Sequence, residues 1–569
     1  MKNKFLIIFS VILATLGILG ARLVAYYGNP ILLYIFIPLV SLMPVIVALY
    51  ERGVENHALL GSTLLTVIAL LYHVALSFIY LSGADIFVEY YFASKTYNQG
   101  AWNPLVSESY NTALSITILP AMISILSGID LITLFKVLYP LIFSFVPIIL
   151  FKAYMRIMDP KEAFLSVFYF ISIFPFFTEL LQIGKQMIAE VLLALMIYFV
   201  LANEKVNQNN VPALILLSLA LVYSHYSTYF FWLLLFLIAI FLTFISSKHY
   251  RSFVLAVISS FVFSYLWYVY IAGGSVFHAI TLIVAEFMHS LNWLFNPSYA
   301  QGVEYVVKEK SIMRQITTYL YLFSMFFIAI SIISILYHII IGKFQKRRNF
   351  HLTYYQALSV GAFVIFGISS ISNLSSALNI TRFYQLSLFV LAPHFIEGLK
   401  IFRKITLKDY LKSEYLSKLA ALFLMIFLLF NTGFMYEVSK FIGLKEESFS
   451  GALNPSMDSS TPSHSDLVAI NWIKENIPLS NFVVSSDLFG RTFLRAYLPE
   501  SIIINLNKIC QLKPSLLFVR KLSCKHGLLD LWYVHLVQLR GYIPVEQFVS
   551  SKCLHKIFDS GSLIYFCSK

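Results

Sequence analysis

The feature that most constrains this chain is a series of apolar runs that recurs from Phe5 to Tyr436. Many of these runs approach the length of about 20 residues that an α-helix needs to cross a bilayer. Hydrophobic residues make up 59% of the sequence and charged residues only 12%, whereas soluble domains average about 45–50% and about 25%. This pattern argues against a soluble globule, a disordered chain and a solenoid. It predicts an all-α polytopic membrane domain over residues 1–436, followed by a more polar tail.

Thirteen membrane spans can be placed on these runs. They cover residues 5–26, 30–50, 58–82, 130–151, 163–181, 187–202, 211–227, 229–246, 253–272, 317–341, 352–372, 383–399 and 418–436. The pair that meets around His225 to Tyr229 could instead be one bent helix. The links at 152–162, 203–210, 247–252, 342–351 and 400–417 are mostly rich in Lys and Arg, which is typical of cytoplasmic loops. We therefore expect a multi-pass protein of the cell membrane with a cytoplasmic N-terminus and an extracytoplasmic C-terminus.

Three segments on the opposite side are too long for simple turns. The first large loop, 83–129, ends in an apolar stretch that is short for a span and suits an interfacial or re-entrant helix. The second, 273–316, has an amphipathic segment around Phe277 to Phe295 and could be a mobile lid or another interfacial helix. The third is the tail, with a linker at 437–465 and a soluble domain at 466–569.

The tail domain has the pattern of a small α/β fold. A helix begins near Asp466, with Ser465 or Asp466 placed to cap it. Strand patterns cover 481–487 and the run from Ser562 to Cys567. All four cysteines lie in this tail, and two disulfides or four buried thiols fit equally well: Cys510, Cys524, Cys553 and Cys567.

The formal charge of +13 invites a nucleic-acid interpretation. The cations, however, gather in short links between apolar runs, as in the Lys343 to Arg348 segment. A nucleic-acid surface would need a basic face on a water-exposed domain. The charge therefore favours membrane anchoring, with the lipid bilayer rather than nucleic acid as the partner.

Two carboxylates follow the third predicted span directly. Asp85 and Glu89 are four residues apart, so a helix would place both on one face. Such a pair can orient a hydroxyl, accept its proton, or hold a divalent cation such as Mg²⁺ or Mn²⁺, with Asp85 as the metal ligand. The alternative is that both are ordinary polar residues of an exposed loop.

At this point the chain resembles the GT-C superfamily of membrane glycosyltransferases. Those polytopic enzymes use sugars linked to polyprenyl phosphates, carry an acidic motif in the first large extracytoplasmic loop, and often end in a soluble domain. The chain is also similar to a family of archaeal multispanning membrane proteins whose functions are largely unassigned. The residues that carry this resemblance are Gly83-Ala-Asp-Ile-Phe-Val-Glu-Tyr-Tyr-Phe92, Gly100-Ala-Trp-Asn103, Tyr110-Asn111, Leu114-Ser-Ile-Thr-Ile-Leu-Pro120, Gln186-Met-Ile-Ala-Glu190 and Ser224-His-Tyr-Ser227.

The resemblance implies a hexosyltransferase-like activity. A sugar would pass from a polyprenyl or dolichyl phosphate to an extracytoplasmic glycan, protein or lipid. Asp85 would be the catalytic base, and Glu89 would assist by hydrogen bonding or metal contact. Related sequences carry a histidine two residues after the Asp, where this chain has Phe87, so any role of that histidine is absent or displaced here.

A lipid-phosphate leaving group needs positive charge as its bond breaks. Arg382 and Lys185 lie beside predicted spans on the side expected to hold Asp85, and Arg382 offers a fork for phosphate oxygens. His225 and Tyr226 lie at the outer ends of two short spans, where they could contact phosphate or sugar. Snorkelling of the long basic side chains, and a structural role for the histidine, are the plain alternatives. Weaker candidates are Glu179, Glu190, Glu286 and His289.

Two other function classes remain open. A transporter or flippase for lipid-linked glycans would favour internal repeats and polar residues at mid-membrane, and a non-catalytic scaffold would need no converging site. The sequence contains no phosphate-binding P-loop and no GxSxG nucleophile motif, so ATP-driven transport and serine hydrolysis are not favoured. Tyr90, Tyr91 and Trp102 near the acidic motif could stack on a sugar.

Overall fold

The computed structural model of the chain is mainly helical, with a small β-sheet domain near its C-terminus. It describes residues 2–50, 54–202, 211–246, 251–271, 273–308, 310–344, 353–374, 378–406, 413–444, 446, 449–454, 460–477, 483–486, 488–498, 502–504, 515–519, 528–532, 540–544, 555–559 and 562–567.

Ten helices in the described residues are long and apolar enough to cross a membrane. They are Lys2–Tyr27, Ile31–Leu49, Asn56–Ala75, Leu131–Tyr154, Gly184–Leu201, Tyr226–Phe244, Ile312–Ile340, Tyr354–Ile371, Ile380–Thr406 and Glu414–Asn431. Two bent pairs raise the number to 12 if each pair is one span: Pro160–Ile171 with Pro175–Gln182, and Val254–Tyr270 with Ser275–Trp293. The polytopic helical fold is therefore confirmed.

The remaining predicted span, at 211–227, corresponds to a helix of 14 residues, Val211–Ser224. This helix is shorter than the roughly 20 residues that a full crossing needs. The next helix begins at Tyr226, so the predicted pair meets at His225, where the helical conformation is interrupted for a single residue.

The helices of the N-terminal half follow in chain order. They are α1 (Lys2–Tyr27), α2 (Ile31–Ser41), α3 (Met43–Leu49), α4 (Asn56–Ala75), α5 (Ala84–Gln99), α6 (Ile118–Ser127), α7 (Leu131–Thr133), α8 (Tyr139–Phe143), α9 (Phe145–Tyr154), α10 (Pro160–Ile171), α11 (Gly184–Ala202), α12 (Val211–Ser224), α13 (Tyr226–Ser246) and α14 (Arg251–Tyr270). Short π-helical turns at Leu134–Leu138 and Pro175–Glu179, and 3₁₀ turns at Ser109–Thr112 and Leu180–Gln182, connect some of them.

The remaining elements include all the strands. The helices are α15 (Ser275–Ser290), α16 (Gln301–Val307), α17 (Ile312–Phe344), α18 (Tyr354–Ile371), α19 (Ile380–Thr406), α20 (Ser413–Asn431), α21 (Phe434–Phe441), α22 (His464–Asn476) and α23 (Leu488–Tyr497), with a 3₁₀ turn at Leu291–Trp293. The strands are β1 (Val483–Ser485), β2 (Ile502–Ile504), β3 (Ser515–Val519), β4 (Leu528–Trp532), β5 (Arg540–Pro544), β6 (His555–Asp559) and β7 (Leu563–Cys567).

The chain divides into two compact units. The membrane unit comprises Met1–Ser77, Asn103–Ser115 and Val137–Ser456. The tail unit comprises Phe78–Trp102, Ile116–Lys136 and Met457–Lys569. The helix that carries the acidic motif, α5, therefore belongs to the same unit as the C-terminal strands.

Small residues allow close helix packing in the membrane unit, as is common where helices associate in lipid. A Cβ atom on Gly398 of α19 would overlap the carbonyl oxygen of Phe327 on α17. A Cβ on Gly17 of α1 would lie 3.1 Å from the carbonyl oxygen of Ala69 on α4. The path also bends by 62° between α10 and the turn that begins at Pro175, and proline is a usual cause of such a bend.

The tail unit contains the predicted α/β fold. Its main sheet has the strand order β2-β1-β3-β7-β6. β1 pairs in parallel with both β2 (Val483 opposite Ile502) and β3. β7 pairs antiparallel with β3 on one side (Tyr565 opposite Leu517) and with β6 on the other. β4 and β5 form a separate antiparallel pair. The helix α23 connects the parallel strands β1 and β2, which makes this a βαβ arrangement.

The predicted cap of the first tail helix is wrong by two or three residues. The N-cap of α22 is Ser463, not Ser465 or Asp466. Asp466 is the third helical residue, and its carboxylate accepts from the Ser463 N–H at 2.8 Å while the Ser463 Oγ accepts from the Asp466 N–H at 3.2 Å. This reciprocal capping box starts the helix earlier than the apolar pattern indicates. The disulfide prediction lies largely outside the described residues, since only Cys567 is among them.

Candidate functional site

Lys185 is a buried cation near the start of α11. The residue is only 3% exposed, and its ammonium group lies 3.4 Å from the centre of the Tyr110 ring. The Tyr226 ring is the second aromatic neighbour, at 5.9 Å. Cation–π attraction grows when the cation is desolvated, so these rings stabilise a charge that burial would otherwise disfavour.

His225 occupies the single residue between α12 and α13, outside the candidate spans. It is 3% exposed, its ring is 5.4 Å from that of Tyr226, and its Nδ1 is 2.7 Å from the Thr228 hydroxyl. Burial, together with the positive charges of Lys185 and Arg382, holds the pKa of His225 well below its usual value of 6.5. The imidazole is therefore neutral at physiological pH and lies near both cations.

Arg382 lies in the first turn of α19 and is partly buried. The turn is entered through Asn379, whose φ of 63° is a left-handed conformation that asparagine tolerates better than most residues. The neighbouring Thr381 hydroxyl donates to Glu179 at 2.8 Å. Arg382 interacts electrostatically with the carboxylates of Glu179 and Glu190.

The structure thus brings four predicted residues together in the membrane unit. We refer to Lys185, His225, Tyr226 and Arg382 as the cation cluster. They lie at or near the N-terminal ends of α11, α13 and α19. Helix N-termini carry partial positive charge and unpaired N–H groups, so their position adds to the positive potential of the two cations.

A buried hydrogen-bonded triad connects two of these helices. The Nε2 of Gln186 donates to Oε1 of Glu190 at 2.9 Å, and the Nε2 of Gln385 donates to Oε2 of the same carboxylate at 2.7 Å. All three side chains belong to fully buried residues. We call Gln186, Glu190 and Gln385 the amide clamp. Gln186 follows Lys185 on α11, and Gln385 lies three residues after Arg382 on α19, so the clamp joins the two helices that carry the cations.

The segment before α6 forms hydrogen bonds with the C-terminal end of α12, directly before the helix break at His225. The Leu114 N–H donates to the Tyr223 carbonyl at 2.7 Å, and the Ser115 hydroxyl donates to the Ser224 carbonyl at 2.8 Å. This segment also carries Tyr110, the ring next to Lys185. Residues 103–115 therefore stabilise one side of the cation cluster.

Asp85 and Glu89 lie on α5, in the tail unit. Both residues are helical and four apart, as the predicted spacing requires, and they do not lie in an exposed loop. Glu89 is fully buried and Asp85 partly buried. Among the described residues, no group of three or more His, Cys, Asp or Glu side chains is arranged to hold a metal ion.

Sequence reasoning did not identify Tyr110, Gln186 and Gln385 as site residues. The spacing of Gln186 and Glu190, four apart in an otherwise apolar helix, was a usable signal, because buried polar groups need partners. Tyr110 belongs to one of the motifs that carry the family resemblance, but its contact with Lys185 could not be predicted because the two residues lie far apart in sequence. Gln385 had no local signal, since its partner Glu190 is also distant in sequence. Of the weaker candidates, Glu179 and Glu190 interact with Arg382, while Glu286 and His289 lie on α15, where His289 is exposed.

A family model described as a predicted membrane protein, DUF2206, matches residues 213–565. The chain belongs to the DUF2206 family. The region that matches the DUF2206 model contains His225, Tyr226 and Arg382, whereas Asp85, Glu89 and Lys185 precede it. Most of the cation cluster and nearly all of the described sheet of the tail unit therefore fall inside the DUF2206 region.

Among solved structures, the chain is similar to the oligosaccharyltransferase of Archaeoglobus fulgidus, tethered with an acceptor peptide containing the NVT sequon. The two share 13% sequence identity with a TM-score of 0.49, and the match covers 79% of this chain. It spans 64% of the length of the oligosaccharyltransferase chain, less than two thirds. No curated protein matches the sequence.

Proposed function

We propose that the protein is a membrane glycosyltransferase that transfers a sugar from a polyprenyl or dolichyl phosphate to an acceptor outside the cytoplasm. The acceptor hydroxyl attacks the anomeric carbon, the bond from that carbon to the phosphate oxygen breaks, and lipid phosphate leaves. The acceptor proton passes to the base, so atoms and charge balance. The membrane orientation, with the N-terminus in the cytoplasm, is part of the proposal.

The observation that carries this proposal is the cation cluster. Lys185 and Arg382 both lie close enough to His225 to affect its charge state, and Lys185 is almost fully buried. Positive charge in a low-dielectric site stabilises a leaving phosphate more strongly than the same charge in water. The cluster is thus suited to a ligand that is itself anionic.

Each cluster residue then has a distinct role. Arg382 presents a planar fork to two phosphate oxygens, and Lys185 supplies a compact charge. The neutral His225 donates one N–H to phosphate or sugar, with Tyr226 beside it. The amide clamp keeps α11 and α19 together so that both cations act on one ligand.

The proposed base is Asp85, and Glu89 assists it by hydrogen bonding or by contact with Mg²⁺ or Mn²⁺. Asp85 is partly exposed and lies in the first turn of α5. Glu89 is one helical turn further along α5.

The test is sugar transfer in membranes that contain the full chain. Dolichyl phosphate carrying radiolabelled mannose or glucose is the probe, and released dolichyl phosphate and labelled endogenous acceptor are measured. Asp85→Asn should lower turnover by about 10²–10⁴-fold, the usual contribution of a general base. Arg382→Gln should raise the KM for the donor, and Arg382→Lys should restore part of the binding.

The matched control is Glu304→Gln, which removes a carboxylate whose ion-pair partner, Lys308, is exposed. Turnover should be unchanged in this variant. Full transfer by a correctly inserted Asp85→Asn protein would overturn the assigned mechanism, and the absence of transfer with either sugar by the wild-type chain would overturn the choice of hexosyl donor.

A further inference from the structure

The acidic helix α5 buries an aromatic face against a helix of the C-terminal domain. The Phe87 ring lies 4.7 Å from the Phe493 ring of α23, edge to face at 63°. Both residues are fully buried. Tyr497, one helical turn after Phe493, adds a second ring at 6.2 Å from Phe87. Edge-to-face ring pairs have a preferred geometry, so they fix orientation as well as burying apolar area.

The contact continues along α5 beyond Phe87. Tyr90 lies 6.3 Å from Tyr497, and the Arg495 guanidinium lies 4.8 Å from the Tyr91 ring. Three side chains of α23 therefore contact successive turns of α5. Tyr90 and Tyr91, predicted from sequence as residues that could stack on a sugar, have protein partners in the tail unit.

The residues just before α5 also form hydrogen bonds with the C-terminal segment. The N–H of Gly83 donates to the Ser460 carbonyl at 3.0 Å, and the Ser82 and Ser460 hydroxyls are 3.0 Å apart. Gly83 has a φ of 115°, which non-glycine residues rarely adopt. The backbone two residues before Asp85 is thus fixed by a residue of the C-terminal segment.

These contacts lie between and beside the two carboxylates. Phe87 is two residues from Asp85 and two from Glu89 on one rigid helix. With side-chain atoms about 6 Å from a helix axis, a rotation of roughly 10° moves a carboxylate by about 1 Å. A displacement of about 1 Å can reduce turnover about 10²-fold.

We propose that Phe493 and Tyr497 of α23 are positioning residues that fix the orientation of α5, and with it Asp85 and Glu89. The C-terminal domain is then part of the catalytic apparatus through the helix that it holds. The kinetic consequence depends on the glycosyltransferase function proposed above, whereas the structural consequence does not.

Two measurements on the full-length protein in membranes or detergent test this proposal. Phe493→Ala should lower kcat by about 10–100-fold and leave the donor KM within about two-fold, because the lipid phosphate is bound by other residues. Phe493→Leu should recover most of kcat, since it refills the volume. Hydrogen exchange followed by mass spectrometry should show faster exchange of amides in 84–99 for Phe493→Ala.

The matched control is Val468→Ala on α22, a truncation in the same unit at a residue that is 38% exposed. It should change neither kcat nor exchange in α5. Tyr497→Ala removes the second ring alone and should also speed exchange in α5, so it provides the test if Phe493→Ala fails to fold. Tyr497→Phe keeps the ring and should behave like wild type.

The outcomes separate the two proposals. The positioning role is overturned if amide exchange in α5 is unchanged in Phe493→Ala. It is also overturned if the Val468→Ala control speeds amide exchange in α5 by the same amount. A fall in kcat for Asp85→Asn with none for Phe493→Ala also overturns it while leaving the glycosyltransferase function intact. Faster exchange in α5, with Asp85→Asn fully active, supports the positioning role and overturns the proposed mechanism.

Discussion

The ammonium group of Lys185 lies 3.4 Å from the centre of the Tyr110 ring, 75 residues earlier in the chain. A buried lysine is costly unless its charge has partners, and here an aromatic face is one of them. The contact connects residues 103–115 to the N-terminal end of α11.

Replacement of Tyr110 by leucine should destabilise the protein by about 1–2 kcal/mol, because a desolvated cation–π contact is lost. Tyr110→Phe keeps the ring face and should lose much less. Thermal unfolding of the purified protein in detergent measures the difference. Equal losses in both variants would show that the hydroxyl, and not the ring, is the important group.

A double-mutant cycle should show coupling between Glu190 and Gln385. Each single change to leucine leaves a buried polar partner unsatisfied, at a cost of about 1–3 kcal/mol. The double variant should lose less than the sum of the single variants, by about 0.5–3 kcal/mol. Denaturation midpoints of the four proteins provide the cycle, and strict additivity would contradict the hydrogen bond.

Hydropathy alone predicted most of the membrane spans, because an apolar run of spanning length is a local property of the chain. It failed for Val211–Ser224, where the described helix is too short for a full crossing and its break at His225 depends on contacts with Leu114 and Ser115. The cation cluster was predicted residue by residue from charge type and position. The sequence did not predict that these residues would lie close together in the fold. Lys185 and Arg382 come near each other only through contacts between residues that are far apart in the sequence.

The packing of α5 on α23 could not be predicted either. Asp85 and Phe493 are separated by most of the chain, and no pattern near either one indicates a common unit. The N-terminus of α22 is a smaller example of a feature that the local sequence did not predict. The choice between Ser463 and Ser465 as cap depends on which hydroxyl can exchange hydrogen bonds with Asp466.

Acidification should destabilise the membrane unit through His225. Burial and two neighbouring cations depress the pKa of His225 in the folded state. In the unfolded chain its pKa is about 6.5. Below that pH the unfolded chain therefore binds a proton that the folded protein does not. Folding stability should therefore fall as pH drops below about 6.5, by up to about 1.4 kcal/mol per pH unit.

Unfolding temperatures at pH 7.5, 6.5 and 5.5 test this prediction. His225→Asn should show a smaller fall than wild type over that interval, since the titrating group has been removed. Parallel curves for the two proteins would mean that His225 does not contribute to the pH dependence.

Gly398 should not tolerate alanine. Its added Cβ would overlap the Phe327 carbonyl oxygen, so α17 and α19 would have to separate. We expect a loss of about 1–3 kcal/mol or more from overpacking, and lower yield of folded protein in membranes. Gly367→Ala is the matched control, because a Cβ there meets nothing within 4 Å. That variant should be neutral or slightly stabilising, as glycine disfavours helices by about 1 kcal/mol relative to alanine.

The amide clamp also has a consequence for biosynthesis. Glu190 and Gln385 are 195 residues apart, so α11 emerges from the ribosome long before α19 exists. At a synthesis rate of about 5–20 residues per second, the carboxylate waits for roughly 10–40 s without its second partner. During that interval Gln186, one turn away on the same helix, is the clamp member that is already present. Variants at Gln186 should therefore affect membrane insertion of the nascent chain more than variants at Gln385, although both donate to the same carboxylate in the finished protein.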